Sequence, residues 1–200
     1  MNRICQVVGR LMCLMALPLS LAHAAAVGDT LDTPAMQAPQ AKSAVLLDLA
    51  RAGARLVAVG ERGIVLLSDD NGVSWRQTAV PVSVSLTAVQ FIDANTGWAV
   101  GHAGVVLVSH DGGEHWALQL DGLRAAQLEL ASARQQLPSA NDQDAAAARV
   151  QTAERLAGEG ADKPFLALQF VDARHGLIVG AYGLAFRTDD GGTTWQSIMG

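Results

Sequence analysis

The chain has 200 residues, with 14 Lys and Arg against 19 Asp and Glu, and it is 50% hydrophobic. That length allows one or two domains with a sizeable core. A net charge of −5 argues against nucleic acid or an anionic membrane surface as the partner.

Met1–Ala24 reads as a secretory signal peptide. Arg3 and Arg10 precede the apolar run Leu11–Leu21, and Ala22-His23-Ala24 follows as a small-x-small cleavage site. The run of 11 residues is too short for a membrane span, which needs about 20. Cys13 lacks the small preceding residue of a lipoprotein site. Both cysteines, Cys5 and Cys13, lie in this segment, so the mature chain is expected to have no disulfide. Cleavage leaves a net charge of −7 and no further run long enough to cross a bilayer. The expected location is periplasmic or secreted.

Residues 25–43 carry Pro34 and Pro39 among Ala, Gln and Thr, and are expected as a flexible lead-in. An extra strand beside a neighbouring unit is the competing use, and the prolines argue against it.

A repeat then begins. Leu56–Trp75 reads LVAVGERGIVLLSDDNGVSW, Gly97–Trp116 reads GWAVGHAGVVLVSHDGGEHW, and Gly176–Trp195 reads GLIVGAYGLAFRTDDGGTTW. Gly60, Gly101 and Gly180 align at steps of 41 and 79 residues, as do the three tryptophans. A period of about 40 residues built from short strands marks a propeller blade. The longer step holds an insertion of 38 residues. Each unit is expected to have four strands. The first, taken as the outer one, is Val45–Ala50, Leu86–Asp93 or Phe165–Asp172; the last two share Gln-Phe-x-Asp. The second strands are Leu56–Val59, Trp98–Val100 and Leu177–Val179, the third Ile64–Leu67, Val105–Val108 and Leu184–Arg187. The fourth follow each tryptophan. The expected blades are about 44–82, 84–121 and 163–200, within a partial all-β propeller over 44–200.

The insertion, 122–160, is helical. Leu123, Ala126, Leu130, Ala133 and Leu137 form one apolar stripe. Pro138-Ser139 breaks it, and Ser139 with Asp142 resembles a capping box. Asn141–Ala157 follows as a second helix, with Ala146, Val150, Ala153 and Ala157 on one face. The spacing predicts an antiparallel α-hairpin between blades two and three, either a decoration or a partner-binding arm.

Three turns share one pattern: Ser68-x-Asp70-x-Gly72-x-Ser74-Trp75, Ser109-x-Asp111-x-Gly113-x-His115-Trp116 and Thr188-x-Asp190-x-Gly192-x-Thr194-Trp195. It resembles the Asp-box of sialidase-type propeller repeats. Aspartate accepts hydrogen bonds from the turn's N–H groups, glycine permits positive φ, and tryptophan buries apolar area between blades. Recurrence in every unit indicates a fold requirement rather than catalytic acids or calcium ligands. The glycines of the V-G-x-x-G turns, Gly60, Gly63, Gly101, Gly104, Gly180 and Gly183, are expected to be structural too. His102, His110, His115 and His175 show no metal-ligand spacing and are expected as solvated loop residues. No catalytic residue, metal or cofactor is expected.

Together the V-G-x-x-G strand pair, the Asp-box and Gln-Phe-x-Asp resemble the photosystem II stability/assembly factor family of BNR-repeat propellers. The resemblance covers Val45–Gly200 outside the insertion. It implies an exported, non-enzymatic propeller that binds proteins, with a membrane-protein complex as the partner class and photosynthesis as the setting. Photosynthetic members bind through a basic patch, and no cluster of arginines here matches it. The alternative is a sialidase-like glycoside hydrolase, which shares the Asp-box. It needs a tyrosine nucleophile and an arginine cluster. Here Tyr182 sits in a repeat turn, and Phe186-Arg187 runs into an Asp-box. Propellers close with about four to eight blades. Three units are therefore expected to form an incomplete ring, as part of a longer reading frame or with self-association.

Overall fold

The computed structural model describes residues 30–199, so the segment read as a signal peptide lies outside the described residues. Short Val-, Leu- and Ala-rich runs bounded by glycine form three antiparallel four-stranded sheets, each in sequence order. Blade one is β1 (Leu46–Ala52), β2 (Arg55–Gly60), β3 (Val65–Ser68) and β4 (Arg76–Gln77). Blade two is β5 (Leu86–Phe91), β6 (Gly97–Gly101), β7 (Val106–Ser109) and β8 (Ala117–Leu120). Blade three is β9 (Phe165–Phe170), β10 (Gly176–Gly180), β11 (Ala185–Thr188) and β12 (Gln196–Ser197). The architecture is a partial β-propeller with a helical insert.

The order within a blade corrects one expectation. The first strands are the inner ones: β1 packs against β5 and β5 against β9. The fourth strands lie at the outer rim, and β4 and β12 are only two residues long and polar.

Side chains alternate along each strand, so both faces of a blade are apolar and both need a neighbour. Between blades one and two, Val57, Val59, Val65 and Leu67 meet Leu86, Val89, Leu107 and Trp116. Between blades two and three, Trp98, Val100, Val106 and Val108 meet Phe165, Phe170, Ile178, Phe186 and Trp195. Full burial of each large side chain contributes about 1.5–3 kcal/mol, which makes these layers the main source of stability. Two flanks have no blade beside them among the described residues. On blade one, Ala58, Leu66 and Trp75 pack only with Ala41 and Ile64, and Leu46, Leu47 and Leu49 are exposed. On blade three, Leu177 and Val179 are each 45% exposed.

The insertion forms α1 (Gly122–Gln136), a 3-10 turn (Leu137–Ser139) and α2 (Gln143–Gly158). Asp121 caps α1 by accepting from Arg124 N–H at 2.9 Å. Asp142 itself caps α2 by accepting from Ala145 N–H at 2.9 Å. Ser139 is therefore not the cap; its hydroxyl donates to the Gln136 carbonyl and closes the 3-10 turn. The buried stripe of α1 is also rotated from expectation. It comprises Ala125, Ala126, Glu129 and Ala133, whereas Leu123 is exposed. On α2 the buried residues are Ala153 and Leu156. The hairpin lies along blade three, α1 packing on β12 as well as on α2.

Residues 30–43, expected as a flexible lead-in, lie against blade one instead. They run antiparallel to the stretch after β4: Ser83 N–H donates to the Thr30 carbonyl and Ala35 N–H to the Val80 carbonyl, each at 2.9 Å. Neither bond needs an N–H from Pro34 or Pro39, which is why the prolines do not prevent the pairing. A 3-10 helix over Pro39–Ser43 then brings Ala41 onto the free flank of blade one. Among the described residues, no helix is long and apolar enough to cross a membrane.

Candidate functional site

The Asp-boxes occupy the turns between the third and fourth strands. In the first, the Ser68 hydroxyl donates to Asp70 Oδ1 at 2.8 Å and accepts from Gly72 N–H at 2.7 Å. Asp70 accepts Ser74 N–H at 2.8 Å and the Ser74 hydroxyl. The third repeats this arrangement with Thr188, Asp190, Gly192 and Thr194, at 2.6–2.9 Å. In the second, Ser109 and Gly113 keep their places, and Asp111 accepts His115 N–H at 2.9 Å. His115 Nδ1 lies 2.7 Å from Asp111 Oδ2, so an imidazole does the work of the missing hydroxyl. The division of labour is finer than expected from the sequence: the first Ser or Thr takes the glycine N–H, and the aspartate ties the two ends. Gly72, Gly113 and Gly192 have φ of 92°, 88° and 90°, a region that favours glycine.

Hydrogen bonds from the Ser74 hydroxyl and N–H pull the Asp70 carboxyl down to about 2. Those from Thr194 do the same for Asp190, also to about 2. For Asp111, burial raises the pKa, and the N–H and ring of His115 with the Ser109 hydroxyl outweigh it, so the net direction is down. A carboxylate held ionised by its own turn is poorly suited to act as a general acid.

Trp116 and Trp195 are buried between blades, and Trp75 lies half-buried on the free flank of blade one. Trp75 and Trp116 donate their ring N–H to the Gly72 and Gly113 carbonyls at 3.1 and 3.0 Å. Trp195 Nε1 has no such partner. The Gln119 side chain wedges against Gly192 in that turn and donates to the Gly191 carbonyl at 2.9 Å.

The V-G-x-x-G turns are single 3-10 turns whose second glycines, Gly63, Gly104 and Gly183, have positive φ. The first glycines are extended, and their need is steric. A Cβ on Gly60 would lie 2.1 Å from the Val45 carbonyl oxygen, on Gly101 2.2 Å from that of Ser85, and on Gly180 2.3 Å from that of Pro164. Those carbonyls accept the N–H groups of Glu61, His102 and Ala181 at 2.9–3.0 Å.

Neighbouring blades are stitched by Asp48, which the sequence reading did not single out, and by the glutamine of Gln-Phe-x-Asp, whose role it did not assign. Asp48 on β1 accepts Val89 N–H of β5 at 2.8 Å. Gln90 on β5 grips Phe170 of β9 twice: its Oε1 accepts the N–H at 2.7 Å and its Nε2 donates to the carbonyl at 2.9 Å. The Phe170 ring stacks on Trp98, centroids 3.6 Å apart. Gln77 grips the lead-in across two residues, accepting Ala38 N–H at 3.0 Å and donating to the Met36 carbonyl at 2.9 Å. The recurrence of glutamine at 90 and 169 in Gln-Phe-x-Asp was the available signal for this device.

At the solvent end of the first interblade layer, Arg55 pairs with Asp69 at 2.5 Å and Glu114 at 2.8 Å, and Arg76 forks onto Glu114. The arginines hold both carboxyls below their usual range. In the insertion, Glu129 is 1% exposed and takes both its oxygens to Arg149 of α2, at 2.9 and 3.1 Å, while the Ser197 hydroxyl of β12 donates to it. This buried ion pair closes the hairpin and ties it to blade three.

The histidines do not converge. His175 sits on Asp172, whose carboxyl that ring and the N–H groups of Arg174 and His175 draw down to about 2. Among the described residues, no three His, Cys, Asp or Glu side chains come together as a metal site. Tyr182 is half-exposed at the apex of its 3-10 turn with φ 58°. Arg187 is exposed and donates to Gln196 Oε1 at 3.2 and 3.1 Å.

The family profile described as photosynthesis system II assembly factor YCF48 matches residues 67–136, from β3 through α1. No curated protein sequence matches the chain. Among solved structures, "YCF48 bound to D1 peptide" is similar with 19% identity and a TM-score of 0.53, over 81% of this chain and 42% of that one. YCF48 from Cyanidioschyzon merolae is similar with 21% identity and a TM-score of 0.51, over 77% and 39%. An ancestral GH74 enzyme, at 16% identity and a TM-score of 0.49 over 76% and 18%, is too distant to bear on activity. The chain thus spans about two-fifths of the length of the two YCF48 structures it matches. The profile match over residues 67–136 and the blade architecture together make the chain similar to the BNR propellers of photosystem II assembly factors, with a partial β-propeller as its fold.

Proposed function

We propose that the chain is an exported, non-enzymatic propeller that binds protein partners during their assembly. The observation that carries the reading is the profile match over residues 67–136. The polar residues concentrated by the repeats are engaged in their own turns, as with Asp70 and Asp190. The profile match supports the assembly-factor role, and the similar fold titled as bound to a D1 peptide supports a polypeptide ligand. A membrane-protein complex is the partner class this implies. Self-association is the second reading, for a protein of three blades alone.

The purified chain is expected to bind the D1 peptide saturably in calorimetry, and absence of binding removes the photosystem role. A fluorogenic sialoside is expected to remain intact, and turnover would overturn the non-enzymatic reading. Export predicts a periplasmic product whose intact mass begins at Ala25; a retained leader overturns it.

A further inference from the structure

We propose that Asn71 is a latent deamidation site in the first Asp-box, and that the Ser68 hydroxyl is the lock on it. The reaction joins the Gly72 main-chain nitrogen to the Asn71 side-chain carbonyl carbon and expels ammonia. Of the four asparagines in the sequence, Asn71 alone precedes glycine, whose missing Cβ leaves that nitrogen unshielded.

Asparagine stands at 71 for a structural reason. The aligned residues of the other two boxes are Gly112 and Gly191, with φ of 70° and 75°, and their N–H groups donate at 2.8 Å to the carbonyls of Asn95 and Arg174. Those carbonyls belong to the loops between the first and second strands. In blade one the same connection is only Gly53-Ala54, because Ala52 pairs with Arg55. Side chains make the bridge instead: Arg51 Nη2 donates to Asn71 Oδ1 at 2.8 Å. Asparagine also adopts its φ of 60° more readily than most residues.

The exposed side chain of Asn71 is thereby activated at one end and checked at the other. The Arg51 guanidinium at Oδ1 draws charge from the carbonyl carbon and stabilises the oxyanion that forms when the nitrogen adds. The nitrogen itself is held. Gly72 N–H donates to Ser68 Oγ at 2.7 Å, and the Ser68 hydroxyl, on a residue 1% exposed, donates to Asp70 Oδ1 at 2.8 Å. That anchored bond fixes the peptide plane and keeps the proton engaged. The Asp-Gly pairs of the other boxes have a further safeguard. Asp111 and Asp190 are held as carboxylates, whose charge repels a nucleophile. Asn71 is neutral and lacks it. When Asn71 reacts, the Gly72 N–Cγ bond forms and the Cγ–Nδ2 bond breaks, and the proton from the nitrogen leaves with Nδ2 as ammonia. Water then opens the cyclic imide. Attack at Cγ gives aspartate beside Arg51. Attack at the main-chain carbonyl gives isoaspartate, which lengthens the main chain of the box and breaks the Gly72–Ser68 bond.

The test incubates the full chain at mildly alkaline pH, below its melting temperature, and follows residue 71 by peptide mapping and ammonia release. Ser68→Ala should gain one mass unit at position 71 with first-order kinetics. The native chain should do so at least about tenfold more slowly, the factor that one lost hydrogen bond implies. Ser68→Thr, which carries the residue of the third box, should keep the native rate. Ser109→Ala loosens the second box in the same way and should leave the rate at 71 unchanged, which separates the lock from general loosening. Asn71→Gly should gain no mass there. Circular dichroism verifies folding, and should Ser68→Ala fail to fold, Ser68→Cys, a weaker acceptor, takes its place. A native rate equal to that of the chain unfolded in urea overturns the proposal. So does a Ser68→Ala rate equal to the native one, or equal acceleration at 71 by Ser109→Ala.

Discussion

Asp70 and Asp190 are held ionised by a hydroxyl two residues before and by a hydroxyl and an N–H four residues after, and their carboxyls sit at about 2. A depressed pKa in the folded chain contributes stability that is fully present above the unfolded value, near 4. That contribution is lost as pH falls from about 4 to about 2. Thermal melting followed from pH 7 downward should therefore decline most steeply in that window. Asp190→Asn should flatten the decline, and an unchanged acid limb would show that the box does not hold the turn. Asp111→Asn should lower the melting temperature by roughly 2–6 °C at neutral pH. An amide offers one acceptor oxygen where the carboxylate serves Ser109 and both donors of His115. Unchanged melting would remove the structural role.

The elements show what one-dimensional patterns reveal. Strands between V-G-x-x-G and the Asp-box were legible because their signals are local and recur at one period. The buried face of α1 was not. Leu123, Leu130 and Leu137 form the more apolar stripe, yet the helix turns Glu129 inward. The reason lies far off in the chain, in Arg149 and Ser197, which no helical period connects to Glu129. The lead-in was misjudged for a similar reason. Its partners are the Gln77 amide and the Val80 carbonyl, some forty residues away. Arg149→Ala should cost about 3–5 kcal/mol, because it strands a buried carboxylate. Chemical denaturation measures this, and a loss under 1 kcal/mol would show the pair to be dispensable. Cross-links between α1 and β12 should weaken in the same variant.

At the scale of the molecule, among the described residues blade two alone has both faces covered by other blades. Stability in repeat architectures is close to a sum over neighbouring interfaces, so protection should be uneven. Hydrogen exchange should be slowest at Val100 and Val106 and faster by at least about tenfold in β1 and β11; uniform protection would refute a stack of semi-independent units. The three glycines under a carbonyl lead to a genetic consequence. At Gly60, Gly101 and Gly180, the obstructing atom is a main-chain oxygen, which every amino acid at the neighbouring position carries. A crowded side chain can be relieved by shrinking its neighbour; a crowded carbonyl cannot. A selection for suppressors of Gly101→Ala should therefore return true revertants and no second-site changes at position 85, leaving each blade with one position closed to drift.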